Sequence, residues 1–503
     1  MGMVLNTNIP SIRAQRALNE SRQEMEIAME RLSTGSRINN AADDAAGLAI
    51  VERMTTQIRG LGQATRNAND GIALIKTVEN AIVEVSGMLQ RMRVLALQAA
   101  NDTNTASARA FANNELSSLQ LEISRVSMNT RYNGAQVLNG SFSAKSLQVG
   151  TEAGETLDFS IGNIEASKLG AFIINGTADG ARPSTSAGTD PGNAITTNNG
   201  FTLTSSGVTR SIDAVAADTA KTIAKKVNAV AGSSNVLAAA ATYAWLYTDT
   251  VTPTGGANGG INARLKINNV QTAAFTLSAS DVSDAIQKIN AISSTTGVQA
   301  TATGDYKVLL IDADGDDIKL RNTSTRTDLD VRAVAKDSVT FAGAKLDIAA
   351  AGQAADCANI RGNLRLTSNY DFTINQDNGG SAASGDAYFE NSTTSAPLVN
   401  VSSVSALTRI DASNALAIID GAIETVSSER GGLGTLQNRL EYTVSNLLKV
   451  TEFTTAARSR ISDADFAAET ARLAKAQVLQ QAGVSMLSQA NASTETVLQL
   501  IRG

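Results

Sequence analysis

The amino-acid sequence predicts an α+β protein. Its N- and C-terminal segments pair as a long antiparallel helical coiled-coil rod, and β-rich α+β domains are inserted in the middle. Three observations predict this. Apolar residues recur at near-heptad spacing in both end zones. Only five prolines occur in 503 residues, and they are nearly absent from the outer thirds, so long helices are permitted there. The middle is rich in Gly, Ser, Thr, Asn and Asp, with short alternating apolar runs and Asn-Gly turn signals.

Residues 1–130 read as helix. A stripe runs Leu48, Val51, Ile58, Leu61, Ile72, Ile75, Val78, Ile82, Val85, Leu89, Met92, Leu95, and its later steps average about 3.5 residues. A helix from about 44 to 100 would be roughly 85 Å long at ~1.5 Å per residue. The polar stretch Asn101 to Ser107 predicts a turn between antiparallel helices, and Leu116, Leu119, Ile123 and Val126 resume the pattern. In the second end zone Leu433, Leu436, Leu440, Leu447, Val450, Ala457 and Ile461 keep near-heptad spacing. The chain end has its own stripe of Leu479, Met486, Ala490, Val497 and Ile501. This spacing also fits a bundle closed within one molecule, although long unpaired seams favour partner helices.

Residues 131–404 differ. Tyr132 to Gly140 carries two Asn-Gly signals, and Lys307 to Ile311 reads as a short strand. A degenerate repeat begins at Ser211 and again at Ala274. Each copy has a strand, an Asp (Asp218, Asp281) opening a helix, and an Asn (Asn228, Asn290) near the helix end. Two copies suggest duplicated small domains rather than a solenoid.

Composition excludes several functions. The net charge of −6 argues against nucleic acid binding. Histidine is absent, which removes His-based triads and HExxH zinc sites, and with them a zinc-peptidase insert. It also leaves no unperturbed side chain titrating between pH 6 and 8. The single cysteine, Cys357, allows no intrachain disulfide. No run of about 18 apolar residues predicts a membrane helix. The N-terminus lacks a cationic start followed by an apolar core, so the expected export route is not Sec. Asp312 to Asp317 reads DADGDD. The EF-hand pattern fails because Gly315 is fourth and not sixth, and a hairpin turn is the expectation.

The ends resemble bacterial flagellin. The resemblance rests on ERLSTGSRINNAADDAAGLAI (Glu30 to Ile50), NANDGIALIKTVENA (Asn67 to Ala81), LQRMRVLALQAAN (Leu89 to Asn101) and the long stretch from Ser459 to Asn491. It covers roughly residues 4–150 and 405–503. Within the first motif, Asn39 or Asn40 can cap a helix with Asp43 and Asp44 in its first turn, and Ala45, Ala46 and Gly47 permit close approach.

The resemblance implies a structural, non-enzymatic subunit. Such a subunit is exported, self-assembles into the extracellular flagellar filament for swimming motility, and needs no cofactor. A hook–filament junction protein of the same assembly is the alternative. It implies inner-tube helices at 1–43 and 460–503, a helical rod with a small β region at 44–170 and 405–459, and a surface insert at 171–404 with two α+β subdomains. Assembly is then expected to involve Leu5, Ile9, Ile12, Leu18, Leu479, Met486, Val497 and Ile501. The implied partners are further copies of the chain, an export chaperone, the type III export apparatus, and the filament cap and hook-associated proteins. Arg91, Leu95 and Glu115 fall where flagellins meet the animal Toll-like flagellin receptor. Neither nucleic acid nor membrane insertion is expected.

Overall fold

The computed structural model describes residues 7–101, 103–176, 181–193, 195, 200–248, 261–278, 280–303, 305–325, 329–335, 341–376, 388–389 and 393–502. Seven helices carry the description: α1 (Ile9–Thr34), α2 (Ala45–Ala99), α3 (Ala106–Asn129), α4 (Ala220–Ala229), α5 (Ser283–Asn290), α6 (Arg409–Ser462) and α7 (Phe466–Arg502). The chain divides into two compact units. The first holds Met1–Lys76, Ala144–Ser160 and Gly434–Gly503, and the second holds Thr77–Ser143 and Ile161–Leu433.

Helix boundaries follow from capping. The Asn8 side chain accepts the Ser11 N–H at 3.1 Å, Pro10 lies in the first turn, and Gly35 ends α1 at φ 71°. For α2 the cap is Asp44, which accepts the Gly47 N–H at 2.8 Å. Neither Asn39 nor Asn40 caps it. Asp43 instead accepts the N–H groups of both asparagines, at 3.1 and 3.0 Å, and so knots the turn before the helix. A Cβ on Gly47 would lie 2.8 Å from the Ile38 Cδ1, so this glycine serves the same turn. Thr105 caps α3 through the Ala108 N–H, and Asp465 caps α7 through Ala467 and Ala468.

In the second unit the predicted stripe is buried: Val78, Ile82, Val85, Leu89 and Met92 on α2 are fully covered, as are Leu116 and Ile123 on α3 and Ile419 and Ala422 on α6. Ion pairs cross between these helices, from Arg91 to Glu115 at 2.7 Å and from Arg93 to Asp420 at 2.6 Å. Gln120 donates to the carbonyls of Val401 and Val404, both at 2.8 Å, which fixes the chain as it returns toward α6.

The β-rich middle is organised by one 12-residue strand, Val236–Tyr247. Its first half pairs antiparallel with Asn363–Ser368, and its second half with Val308–Asp312 and Leu329–Val334. Period-two alternation sends Val236 and Ala238 into one core and Ala244 and Leu246 into another. Tyr243, Trp245 and Tyr247 go to the opposite face with Leu309 and Ile311. The first core is covered by α4 through Ile223 and Val227, and the second by α5 through Ala285 and Ile289.

The internal repeat has a physical meaning. Asn228 donates to the Ala238 carbonyl and accepts the Ala238 N–H, at 2.9 and 2.8 Å. Asn290 does the same with Ala300, at 2.9 and 2.7 Å. In each copy the asparagine thus latches its helix to the strand that follows. Between helix and strand, both copies turn through a left-handed residue, Asn235 at φ 53° and Gly297 at φ 77°.

Asp312 to Asp317 is not a hairpin. Val308–Asp312 pairs with Val298–Ala302 and with the long strand, whereas Ile318–Asn322 lies in a different sheet beside Leu265–Ile267 and Cys357–Ile360. The Asp312 carboxylate accepts the N–H groups of Asp314 and Gly315 and turns the chain from one sheet to the other. Gly315, at φ 81°, lies against Ala240, where a Cβ would meet the Ala240 Cβ at 2.3 Å. Lys221 of α4 clamps the corner, reaching Asp316 at 2.7 Å and Asp314 at 3.1 Å. The Asp316 and Asp314 carboxylates hold its ammonium in the charged form.

Asp317 alters the pH expectation. Its carboxyl is pushed up to about 6 because burial outweighs hydrogen bonds from Asn193 and Asn359 and the attraction of Lys319 and Arg361. The folded value lies above the ordinary 3.8, so the native state binds the proton more tightly. Stability of this region therefore grows as pH falls through about 6 and is fully gained near 4, by at most ~3 kcal/mol.

Two predictions follow from these contacts, both read through Trp245, the single tryptophan. Asn228→Ala or Asn290→Ala leaves a strand N–H and C=O without their buried partner, and each should cost about 1–3 kcal/mol in urea melts. An unchanged midpoint for either would contradict the latch. Asp317→Asn should raise the pH 7 midpoint and shrink the difference between pH 5 and pH 7. If the variant keeps the wild-type pH difference, Asp317 is not the titrating group.

Candidate assembly surface

In the first unit α1 and α7 pair antiparallel. At the start of α1, Asn8 donates to the Ala490 carbonyl at 3.1 Å and Ser11 to the Asn491 side chain at 3.0 Å, and near its end Arg31 meets Glu469 at 3.4 Å, at the start of α7. Besides Arg31, the covered and half-covered positions of α1 are Ser11, Ala14, Leu18, Ser21, Met25, Ala28 and Leu32. Besides Thr470, those described on α7 are Glu469, Leu473, Ala476, Gln480, Gly483, Leu487 and Ala490. Both sets step by threes and fours, which is a heptad seam. Its most deeply buried members are small or polar: Ser11, Ser21 and Ala28 on one helix, Glu469 and Ala476 on the other. Leu18 sits over Gly483, where a Cβ would lie 3.4 Å from the Leu18 Cδ1.

Leucines and Met25 half-fill the seam, and a second set of large apolar side chains lies off it. Ile9, Ile12, Ile27 and Met29 on α1, and Val478, Leu479, Val484 and Met486 on α7, are all exposed. Ile12 is 57% exposed, Val484 55% and Met486 65%. Core-type side chains exposed in such numbers on a paired helix suit burial against a partner surface.

A polar node closes the other end of the pair. Arg31 faces Glu469 at 3.4 Å and Asp43 at 3.9 Å, and Arg472 reaches Glu469 at 3.0 Å. Backbone bonds zip the two turns together, from the Arg37 N–H to the Ser462 carbonyl at 2.6 Å and from the Ala464 N–H to the Gly35 carbonyl at 2.9 Å. The N–H groups of Asn40 and Asn39 hold the Asp43 carboxyl below its ordinary value, with Arg31 adding to the effect. The signature around residues 30–50 is thereby a folded corner that sets where α2 starts relative to α1.

The residues named from the sequence fall as follows. Ile9, Ile12, Leu479 and Met486 are exposed, and Leu18 is half-buried in the seam. Leu5 lies outside the described residues, as do the side chains of Val497 and Ile501. Arg91 and Glu115 are exposed and paired with each other, and the Glu115 carboxylate holds the Arg91 guanidinium in its charged form. Leu95 is only 3% exposed, a core side chain, while Val94 and Leu97 beside it are open. Sequence reasoning missed Ile27, Met29, Val478 and Val484. Their signal was a seam in which small and polar residues alternate with leucine, and a search for apolar stripes does not detect it.

A chain with helical ends, an apolar outer face on those ends and a separately folded middle belongs to the class of self-polymerising structural subunits. Comparison with known proteins gives the family. The model of the bacterial flagellin N-terminal helical region matches residues 5–143, and that of the C-terminal helical region matches residues 416–501. B-type flagellin of Pseudomonas aeruginosa is 37% identical, and flagellin of Salmonella typhimurium 32%, each across 100% of both chains. A flagellar junction protein from Legionella pneumophila is 10% identical over 82% of this chain and 98% of its own, at a TM-score of 0.32, a likeness too slight to argue from. The chain belongs to the bacterial flagellins, the structural subunits of the flagellar filament.

Proposed function

We propose that the filament forms by packing the outer faces of α1 and α7 against the same helices of neighbouring subunits. In this reading residues 1–43 with 460–503 build an inner tube and 44–170 with 405–459 an outer one, while 171–404 projects to the surface. Leu5, Ile9, Ile12, Leu479, Met486, Val497 and Ile501 carry the contact, while Leu18, expected to join them, packs within the pair over Gly483. The carrying observation is the exposure on the α1–α7 pair of Ile9, Ile12, Ile27, Met29, Val478, Leu479, Val484 and Met486, while the fully buried positions there are Ser11, Ser21, Ala28, Glu469 and Ala476. Burying seven or so such side chains would contribute on the order of 10 kcal/mol gross per subunit. That is enough to offset part of the ordering cost of assembly.

The same reading places the chain outside the cell after passage through a type III export apparatus, with a chaperone holding the C-terminal helix before export. The filament cap and hook-associated proteins are the expected neighbours at the polymer ends. Arg91 and Glu115, with the open Val94 and Leu97, are the proposed surface for a Toll-like flagellin receptor, with Leu95 supporting it from beneath.

Deletion variants test the division of labour. Gly170 pairs with Asn400, and the Val401 N–H donates to the Leu169 carbonyl at 2.8 Å, so the two ends of the middle region lie side by side. Removing 170–400 with a short linker should therefore preserve polymerisation, whereas removing Val484 to Gly503 should abolish it. Both are read as pelletable filaments after seeding with sheared wild-type fragments. Filaments from the tail deletion, or none from a soluble middle deletion, would overturn the assignment of assembly to the ends.

A further inference from the structure

Asn-Gly occurs among the described residues at 133–134, 139–140 and 175–176. The pair has a chemistry of its own. No side chain shields the glycine nitrogen, so it can attack the side-chain carbonyl carbon of the asparagine before it. The fold treats the three pairs differently.

Asn133 and Gly134 are the central residues of the tight hairpin in which Arg131 pairs with Gln136 and Tyr132 with Ala135. Both have positive φ, 48° and 82°, as a type I′ turn requires. Both are exposed, and a Cβ on Gly134 would meet nothing within 4 Å. Among the described residues no partner holds the Asn133 side-chain amide or the Gly134 N–H. Asn139 is tied by contrast. Its Nδ2 donates to the Gln136 Oε1 at 2.7 Å, and its Oδ1 accepts the Ser141 N–H at 3.1 Å and the Ser141 hydroxyl at 2.6 Å. At the third pair the attacking nitrogen is itself engaged, since the Gly176 N–H donates to the Leu364 carbonyl at 2.5 Å.

We propose that Asn133 is a site of spontaneous covalent modification on the folded chain, losing its side-chain amide to leave an aspartyl or isoaspartyl residue. The Gly134 nitrogen gives its proton to solvent and bonds to the Asn133 Cγ. The bond from Cγ to the side-chain nitrogen breaks, that nitrogen takes up a proton and leaves as ammonia, and a five-membered imide closes. Water then opens the ring at one carbonyl or the other. The balance is one water consumed and one ammonia released, with no oxidant or reductant. The planar ring holds the asparagine ψ at roughly −120°, the value at the first central residue of a type II′ turn. Types I′ and II′ span the same two-residue hairpin and differ by a flip of the central peptide. The intermediate therefore fits between the paired strands, and the open space at Gly134 permits the flip. The product sets a carboxylate beside Arg131, whose Nη1 donates to the Gly134 carbonyl at 3.3 Å.

The test incubates full-length monomer at pH 8 and follows the tryptic peptide Tyr132 to Lys145, which holds both Asn133 and Asn139. Fragmentation by electron transfer locates the gain of one mass unit and separates aspartate from isoaspartate. In the folded chain Asn133 should be converted at least about tenfold faster than Asn139, the ratio that a barrier difference of about 1.4 kcal/mol gives. In urea, where both asparagines are free and both precede glycine, the two rates should come together. Conversion of Asn133 no faster than that of Asn139 in the folded chain would overturn the proposal. So would a preference for Asn133 that persists undiminished in urea, because flanking sequence and not the hairpin would then set it.

Discussion

The heptad seam between α1 and α7 is the constraint from which the functional reading follows. A coiled coil normally places its largest apolar side chains at the seam. Here the deepest seam positions are Ser11, Ser21, Ala28, Glu469 and Ala476, and the larger Leu18, Met25, Leu32, Leu473 and Leu487 are only half-covered. The gain from burying Ile12, Val484 and Met486 is left unrealised within one chain. A second set of helices can realise it, and that makes the terminal pair a half-finished interface rather than a finished core.

The second unit is finished by contrast. Its helices bury Val78, Ile82, Val85, Leu89 and Met92 completely, and the β-rich middle closes two cores around a single long strand. The duplicated asparagine latch and the Lys221 clamp on the Asp312 to Asp317 corner are internal fastenings. They let this region hold its shape without help from a polymer. The chain thus separates a part that is complete alone from a part whose exposed side chains call for company.

Much of the fold was legible in the sequence. The stripe from Ile75 to Leu95 gave the long helix and its buried face, because a strict period leaves one side of a helix apolar. Thr105 fell within the expected turn, and the repeat placed α4 and α5. Capping at Asp44 rather than Asn39 or Asn40 was not legible, since all four polar residues before Ala45 are competent caps and the Asp43 knot decides among them. Nor was the path at Asp312 to Asp317: strand, turn and strand read locally as a hairpin, and only tertiary pairing sends the strands to different sheets. The outer stripe was half legible. Leu479 and Met486 stood out by spacing, but Ile27 and Val484 did not, because the seam that defines their outward position mixes leucine with serine, alanine, glutamine and glutamate.

Methionine oxidation tests the central claim most directly, because Met29 and Met486 are exposed on α1 and α7 whereas Met92 is fully buried. Hydroxyl-radical footprinting of monomer and filament, read peptide by peptide, reports whether those outer faces become covered. The account predicts that Met29 and Met486 lose most of their reactivity on polymerisation, while Tyr306 and Tyr370, exposed in the middle region, keep theirs. Equal oxidation of Met486 in monomer and filament would contradict it.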